Sequence, residues 1–211
     1  MTNIQKRILT SLIILPLSIF FIIKGGYLLS FFLLLIFLIG IYELNSVFKK
    51  KNSIIFLSLI LVISLFCIYY LSEVSEYLLF FAISVTISSD IGGYIFGKIF
   101  KGPKLTKISP NKTYAGMFGG FFLSIISVNI FINYAELINY RIDAEFTHIV
   151  FILVLLISFV SQIGDLVVSY FKRISKIKNT GKILPGHGGL LDRVDGLIFA
   201  IPFSYVLFKF L

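Results

Sequence analysis

"HIVFILVLLISFVSQIGDLVVSYFKR", residues 148–173, decides the fold. It opens as an apolar run of the kind that crosses a bilayer, for which about 17–25 such residues are needed. Asp165 then sits on the same helical pattern, with Ser161 and Ser169 four residues to either side and so on its face. Lys172 and Arg173 close the run with the basic residues expected at a cytoplasmic boundary. A carboxylate at such a depth is costly unless it is paired, hydrated or metal-bound. The stretch therefore predicts a membrane helix that carries a polar site near its cytoplasmic end.

The rest of the 211-residue chain agrees with a membrane fold. Hydrophobic residues make up 58% and charged residues 14%, with a mean hydropathy of +1.00. A soluble domain is about a quarter charged, so composition excludes one. The expectation is an all-α, polytopic integral membrane protein, residues 1–211 forming a single membrane domain with no linker or obvious repeat. About seven transmembrane helices are predicted, near 8–23, 27–47, 53–71, 77–97, 115–134, 148–171 and 194–210. The first follows Lys6 and Arg7 but lacks a small-residue cleavage pattern, so it reads as a retained anchor. Because it is short, a re-entrant hairpin of spans one and two is the alternative.

With the N-terminus in the cytoplasm, only Lys24, Arg141 and Lys209 of the 19 basic residues fall on the far side. Basic residues retained in the cytoplasm set orientation. The formal charge of +9 is then a topology signal with an attraction to anionic headgroups, and nucleic acid is excluded as a partner. The acids split as cleanly. Glu73, Glu76, Glu136, Asp143 and Glu145 fall in outer connections. Asp90, Asp165, Asp192 and Asp195 lie at or near cytoplasmic ends of spans, and Glu43 about one turn inside the end of span two. One shared polar site at the cytoplasmic face would account for the four aspartates. The single cysteine, Cys67, reads as a small hydrophobe, and no Cys/His zinc spacing exists.

"ILPGHGGLLDRVDG", residues 183–196, describes a tight loop leading into the last span. Pro185, Gly186, Gly188 and Gly189 cannot continue a good helix and let backbone approach a ligand. Asp192 and Asp195, three apart, share a helical face in its first turn, where the helix dipole favours negative charge. That alone explains one aspartate. Two of them flanking Arg193, with Asp165 on another helix, fit oxygen ligands for magnesium, a hard cation that also binds substrate phosphates. His187 belongs to the same loop as a proton acceptor, a phosphate contact or a structural hydrogen-bonder, and the sequence does not choose. His148 opens an apolar span on the far side and reads as interfacial.

"SDIGGYIFGKIFKGPKLTKISPNKTYAG", residues 89–116, places Asp90 before Gly92-Gly93, a pair that permits close helix packing. A lysine-rich loop follows. Ser109-Pro110 looks like a helix start, serine as N-cap and proline in the first turn, which would set Lys112 at a helix N-terminus suited to anions. Gly97 and Gly102 have P-loop spacing, but Pro103 stands where the lysine is required. Asn111-Lys112-Thr113 is formally a glycosylation sequon, placed in the cytoplasm by the topology.

Together these stretches resemble the phosphatidate cytidylyltransferase (CDP-diacylglycerol synthase) family. The resemblance rests on "SYFKRISKIKNTGKILPGHGGLLDRVDG" at 169–196, "GDL" at 164–166 and "SPNKT" at 109–113, in that family's order, and covers about residues 80–205, the segment expected to carry the catalytic motifs. It implies transfer of CMP from CTP to phosphatidate, with magnesium as cofactor and a potassium ion beside it as a further candidate. By position, Asp165 and Asp192 look like metal ligands with Asp195 a nearby candidate. Lys172, Arg173, His187 and Arg193 look like phosphate-handling residues, His187 also being a catalytic candidate, and Asp90, Ser109 and Lys112 would line the same cavity. CTP, phosphatidate and membrane lipid are the implied partners, a homodimer is left open, and the implied location is a bacterial inner membrane with the site facing the cytoplasm. Departures from the family pattern are Asn179 for aspartate, Ala115 for glutamate, Tyr114 for tryptophan and Gly196 for serine. Three rivals remain, one of them an inactive family member that acts as a partner subunit, which Asn179 and Ala115 keep open. Another is an enzyme that consumes a CDP-lipid, whose acidic signature is spaced differently. The third is an ion-coupled carrier, whose acids usually lie at the bilayer midplane.

Overall fold

The computed structural model describes residues 3–106, 108–137, 146–177, 179–181, 183–186 and 188–210. The described chain is all-α: α1 Asn3–Lys24, α2 Gly26–Val47, α3 Lys51–Val74, α4 Glu76–Phe100, α5 Tyr114–Leu137, α6 Phe146–Ile174, α7 Leu191–Val194 and α8 Leu197–Lys209. The first six contain apolar stretches long enough to cross a membrane. The protein is an integral membrane protein. The shortest of the six has 22 residues, about 33 Å at 1.5 Å per residue, against a hydrocarbon thickness of about 30 Å. Helix α1 is one such continuous helix, rather than half of a re-entrant hairpin.

The seventh span departs from expectation. A continuous helix over 194–210 is replaced by the four-residue α7 and the 13-residue α8, the latter about 20 Å long. Asp195 and Gly196 between them keep helical dihedrals (φ −59°, ψ −39° and φ −72°, ψ −41°), so the chain runs on while its hydrogen-bond ladder is interrupted. The cause is local. The Asp195 carboxylate itself accepts the Gly196 N–H at 3.2 Å, a side-chain bond that competes with the helical one.

Helix α8 contributes a buried residue to each of the three core clusters. Ile201 packs with Ile22, Leu29, Leu71 and Leu79. Ile198 packs with Leu44, Leu57, Leu61 and Val168. Ala200 packs with Val85, Val128, Val154 and Ile157. All three core clusters therefore meet on one helix. Cys67 is a buried member of the first cluster, as a small hydrophobe should be. Large apolar side chains on the outside, such as Leu12, Phe31, Phe66 and Phe122, are exposed, which suits a lipid environment. Within lipid, helices associate through close packing and polar contacts more than through hydrophobic burial.

Helices α4 and α5 show that close packing. A Cβ built on Gly92 would lie 2.8 Å from the carbonyl carbon of Gly119 and 2.9 Å from the Cα of Gly120. The two backbones touch there, and only the absence of a side chain allows it. Gly92→Ala should force them apart at a cost of about 1–3 kcal/mol. A lowered thermal midpoint of the purified protein in detergent is the expected reading. An unchanged midpoint would mean that the two helices do not meet at this glycine.

This packing also places the site. Alternating crossings bring the C-terminal ends of α2, α4 and α6 to the same end as the start of α1. Arg7 Nε donates to the Gly186 carbonyl at 2.7 Å, and Thr10 Oγ1 to the Pro185 carbonyl at 3.0 Å. The N-terminal helix thus touches the loop that precedes α7.

Candidate active site

The site begins with a buried polar clasp between α4, α5 and α6. Ser89 and Ser158 hydroxyls are 2.8 Å apart, and Ser124 Oγ donates to the Val85 carbonyl at 3.1 Å. Gln162 Nε2 reaches Ser89 Oγ and the Met117 carbonyl, each at 3.3 Å. Such groups link membrane helices because each would otherwise be unsatisfied. Directly beside the clasp opens a cavity of about 330 Å³, lined among others by Asp90, Ser109, Lys112, Asp165, Lys172 and Asp195. This is at the small end of ligand sites, which run about 300–1,000 Å³.

The sequence-predicted residues divide around it. Asp90, on α4, is exposed to the cavity. Asp165, on α6, forms an ion pair with Lys112, and its carboxyl lies beside that of Asp195. Lys172, one face along α6, places its ammonium 3.0 Å from Asp192 Oδ1 and 3.3 Å from Asp195 Oδ2. All three of these side chains are close to nine-tenths buried. Asp192 Oδ2 accepts the Thr180 N–H at 2.8 Å and the Gly189 N–H at 3.1 Å. Its carboxylate thus ties the segment before α7 to Thr180 and faces Lys172.

Four carboxyl groups meet two ammonium groups here, which leaves an acidic excess. Among the described residues no three His, Cys, Asp or Glu side chains are gathered closely enough to hold an ion as they stand. Lysine ammonium groups lie between the acids in their place.

Arg173 lies at the rim of the site. Its Nε donates to the Ile108 carbonyl at 3.4 Å and its Nη1 to the Ile177 carbonyl at 3.1 Å, tying the lysine-rich loop to the end of α6. Arg193 is exposed and is not among the residues lining the cavity. His187 lies outside the described residues.

The helix start expected at Ser109-Pro110 is displaced. Helix α5 begins at Tyr114, and Thr113 caps it, its Oγ1 accepting the Gly116 N–H at 3.1 Å. Ser109 instead closes a turn by accepting the Lys112 N–H at 3.0 Å. The preceding chain is held extended by the Leu105 N–H on Lys112 O at 2.8 Å and the Tyr114 N–H on Pro103 O at 3.2 Å. Lys112 therefore sits just before the cap rather than within the first turn, and points at Asp165.

The loop before α7 is a tight hairpin, Leu184 and Gly188 exchanging both backbone hydrogen bonds at 2.9 and 3.1 Å. Gly188 takes φ +93°, which L side chains rarely adopt. Gly189 has a different requirement, since a Cβ there would stand 2.7 Å from Glu43 Oε2 and 2.8 Å from the Gly181 nitrogen. Asn179 borders the same loop, its Cβ 3.6 Å from that of a side chain built on Gly188. Gly196 faces Ser161, whose hydroxyl would be 2.5 Å from an added Cβ. A serine at 196 has no room while Ser161 holds that space.

Three contributors escaped the sequence reading as site residues: Gln162, Thr180 and Glu43. Gln162 and Thr180 carried no signal beyond polarity. Glu43 did carry one, an acid within a membrane span.

The sequence model of the cytidylyltransferase family matches residues 56–211. The chain is 33% identical over 207 residues to a phosphatidate cytidylyltransferase of Rickettsia conorii, covering 93% of this chain and 87% of that protein. It is 32% identical over 216 residues to one of Rickettsia felis, covering 97% of this chain and 92% of that protein. A Bacillus subtilis phosphatidate cytidylyltransferase is 41% identical over 131 residues, or 61% of this chain and 46% of that protein. With an all-α membrane scaffold, an acid-and-lysine cavity at one end and similarity along nearly its whole length, the chain belongs to the cytidylyltransferase family.

Proposed function

We propose that this chain is a phosphatidate cytidylyltransferase, transferring CMP from CTP to phosphatidate to give CDP-diacylglycerol and pyrophosphate in phospholipid synthesis. The observation that carries this reading is similarity to phosphatidate cytidylyltransferases over more than nine-tenths of the chain. The cavity chemistry supports it. Bacterial relatives support a place in the cytoplasmic membrane, and the basic residues support a site that faces the cytoplasm.

The new bond joins a phosphatidate headgroup oxygen to the α-phosphorus of CTP, and the bond to the β-phosphate bridging oxygen breaks. A phosphate monoester has a second pKa of about 6 and is already a competent nucleophile near neutral pH. No strong protein base is required, so catalysis falls to positioning and charge stabilisation. Magnesium, which the family uses, suits hard oxygen donors and an acidic excess, although as they stand the aspartates are not gathered around one point. Asp165, Asp192 and Asp195 would hold it. When bound it would neutralise phosphate charge and act as a Lewis acid. Lys172 and Lys112 are the ammonium groups available to substrate phosphates, and the lysines of the 101–112 loop would draw the nucleotide in. Asp90 and Ser109 complete the cavity wall, Arg173 holds the loop beside it, and Arg193 and His187 are candidates for phosphate contacts by the family resemblance alone.

Product identity tests the reading. Purified protein with phosphatidate, CTP and magnesium should release pyrophosphate in step with lipid consumed. Release of CMP from CDP-diacylglycerol and an alcohol acceptor, with no pyrophosphate, would instead assign the chain to enzymes that consume the CDP-lipid.

A further inference from the structure

Glu43 is an acid without an assigned role. It projects from α2 one turn before the helix ends, and it is 1% exposed. Its recorded partners among the described residues are neutral donors. Oε1 accepts the Leu190 N–H at 2.7 Å, Oε2 accepts the Leu191 N–H at 3.0 Å, and Thr180 Oγ1 donates to Oε2 at 3.2 Å. A carboxylate is an acceptor-only group with several lone pairs, and here three donors converge on it.

The neighbouring amides show what this arrangement does. Gly189, Leu190 and Leu191 present three successive N–H groups ahead of α7, the kind of donors a helix start leaves unsatisfied. The first goes to Asp192 and the next two to Glu43. Thr180 is shared in the same way, its N–H on Asp192 Oδ2 and its hydroxyl on Glu43 Oε2. Two carboxylates 149 residues apart in sequence thus divide one set of donors between them. Asp192 can face Lys172 only while this turn holds its shape. Gly189 is the residue that allows the approach, because any side chain there would displace Glu43 or Thr180.

We propose that Glu43 is a positioning residue: from α2 it fixes the 189–191 turn, and through that turn it sets the Asp192 carboxylate and, across it, the Lys172 ammonium. The role rests on the nucleotidyl-transfer reading for its effect on turnover, but not for its effect on the loop. Gln in place of Glu43 keeps the shape and presents an amide NH₂ where Leu191 N–H needs an acceptor. The site then loses its geometry while the apolar packing of α2 stays intact.

The test uses purified full-length Glu43→Gln and Thr180→Val, the latter removing one donor to Glu43 while keeping the Thr180 N–H on Asp192. Two readings are taken: amide hydrogen exchange across 183–194, and steady-state kinetics in CTP. Glu43→Gln should speed exchange in 183–194 and leave peptides of α4 and α5 as protected as before. It should lower kcat by about 10–100-fold, the range found when a partner that orients a functional side chain is lost. KM for CTP should change little, the pattern of lost transition-state positioning. Thr180→Val should shift both readings the same way by less. Exchange in 183–194 that matches the unmodified protein, or protection lost equally in every helix, would overturn the proposal. So would normal local exchange in Thr180→Val if Glu43→Gln cannot be purified. An unmodified protein that forms no CDP-lipid would overturn the functional reading alone, because the exchange arm still reports on Glu43.

Discussion

Lys172→Met is expected to abolish turnover and to destabilise the protein together. The ammonium of Lys172 lies between Asp192 and Asp195, 3.0 and 3.3 Å away, in a setting close to nine-tenths buried. Removing one partner from a buried ionic cluster leaves uncompensated charge and costs about 3–5 kcal/mol. Asp165 and Asp195 are already neighbours, so the residual acids crowd one another further. Methionine nearly matches the lysine stem in volume, which confines the change to charge. The thermal midpoint in detergent and CTP turnover should both fall. Restoration of the midpoint, but not of activity, by the added change Asp195→Asn would show that the stability loss came from unpaired charge.

Asp165→Asn is expected to separate the two effects. Its carboxylate stands beside Asp195 and pairs with Lys112. Asparagine removes one like charge from the pair. Lys112, about a quarter exposed, can return to water. Stability should hold or rise, while turnover drops on the order of 10²–10³-fold, the scale for losing a preorganised charge-stabilising group. A stabilised, inactive protein is the usual signature of a functional group kept at a cost to the fold. An active Asp165→Asn protein would remove that carboxylate from the chemistry.

The membrane architecture was legible because it depends on run length and charge asymmetry, which sequence carries directly. The spans around Asp90 and Asp165 needed nothing more, and the Gly92-Gly93 pair marked a close helix contact without naming α5 as the partner. The span near 115 was legible to within a residue of Tyr114, where α5 starts, but the helix start read at Ser109-Pro110 was not found. That stretch is held instead by backbone pairing between 103–105 and 112–114, a contact no local rule contains. The break before α8 depends on Asp195 bonding its own neighbour, again a matter of side-chain direction. The four aspartates were read as one site, and the structure brings them to one end of the bundle. Pairing of Asp165 with a nearby base was the alternative reading; the base is Lys112, while Lys172 pairs with Asp192 and Asp195 instead. Glu43 shows the sharpest limit. Its position inside a span marked it as unusual, but its partners at 180, 190 and 191 are set by how α2 meets the last loop, which the sequence does not state.

The central claim is that the acid-and-lysine cavity transfers a cytidylyl group to a membrane lipid. It is tested most directly with purified protein in liposomes that contain phosphatidate, with magnesium and CTP labelled at its α-phosphorus. Label should pass into the lipid phase, should require both phosphatidate and magnesium, and should be lost in Asp165→Asn protein whose thermal midpoint is intact. Label that never leaves the aqueous phase with folded, inserted protein, or that reaches lipid equally well in the Asp165→Asn variant, would contradict the account.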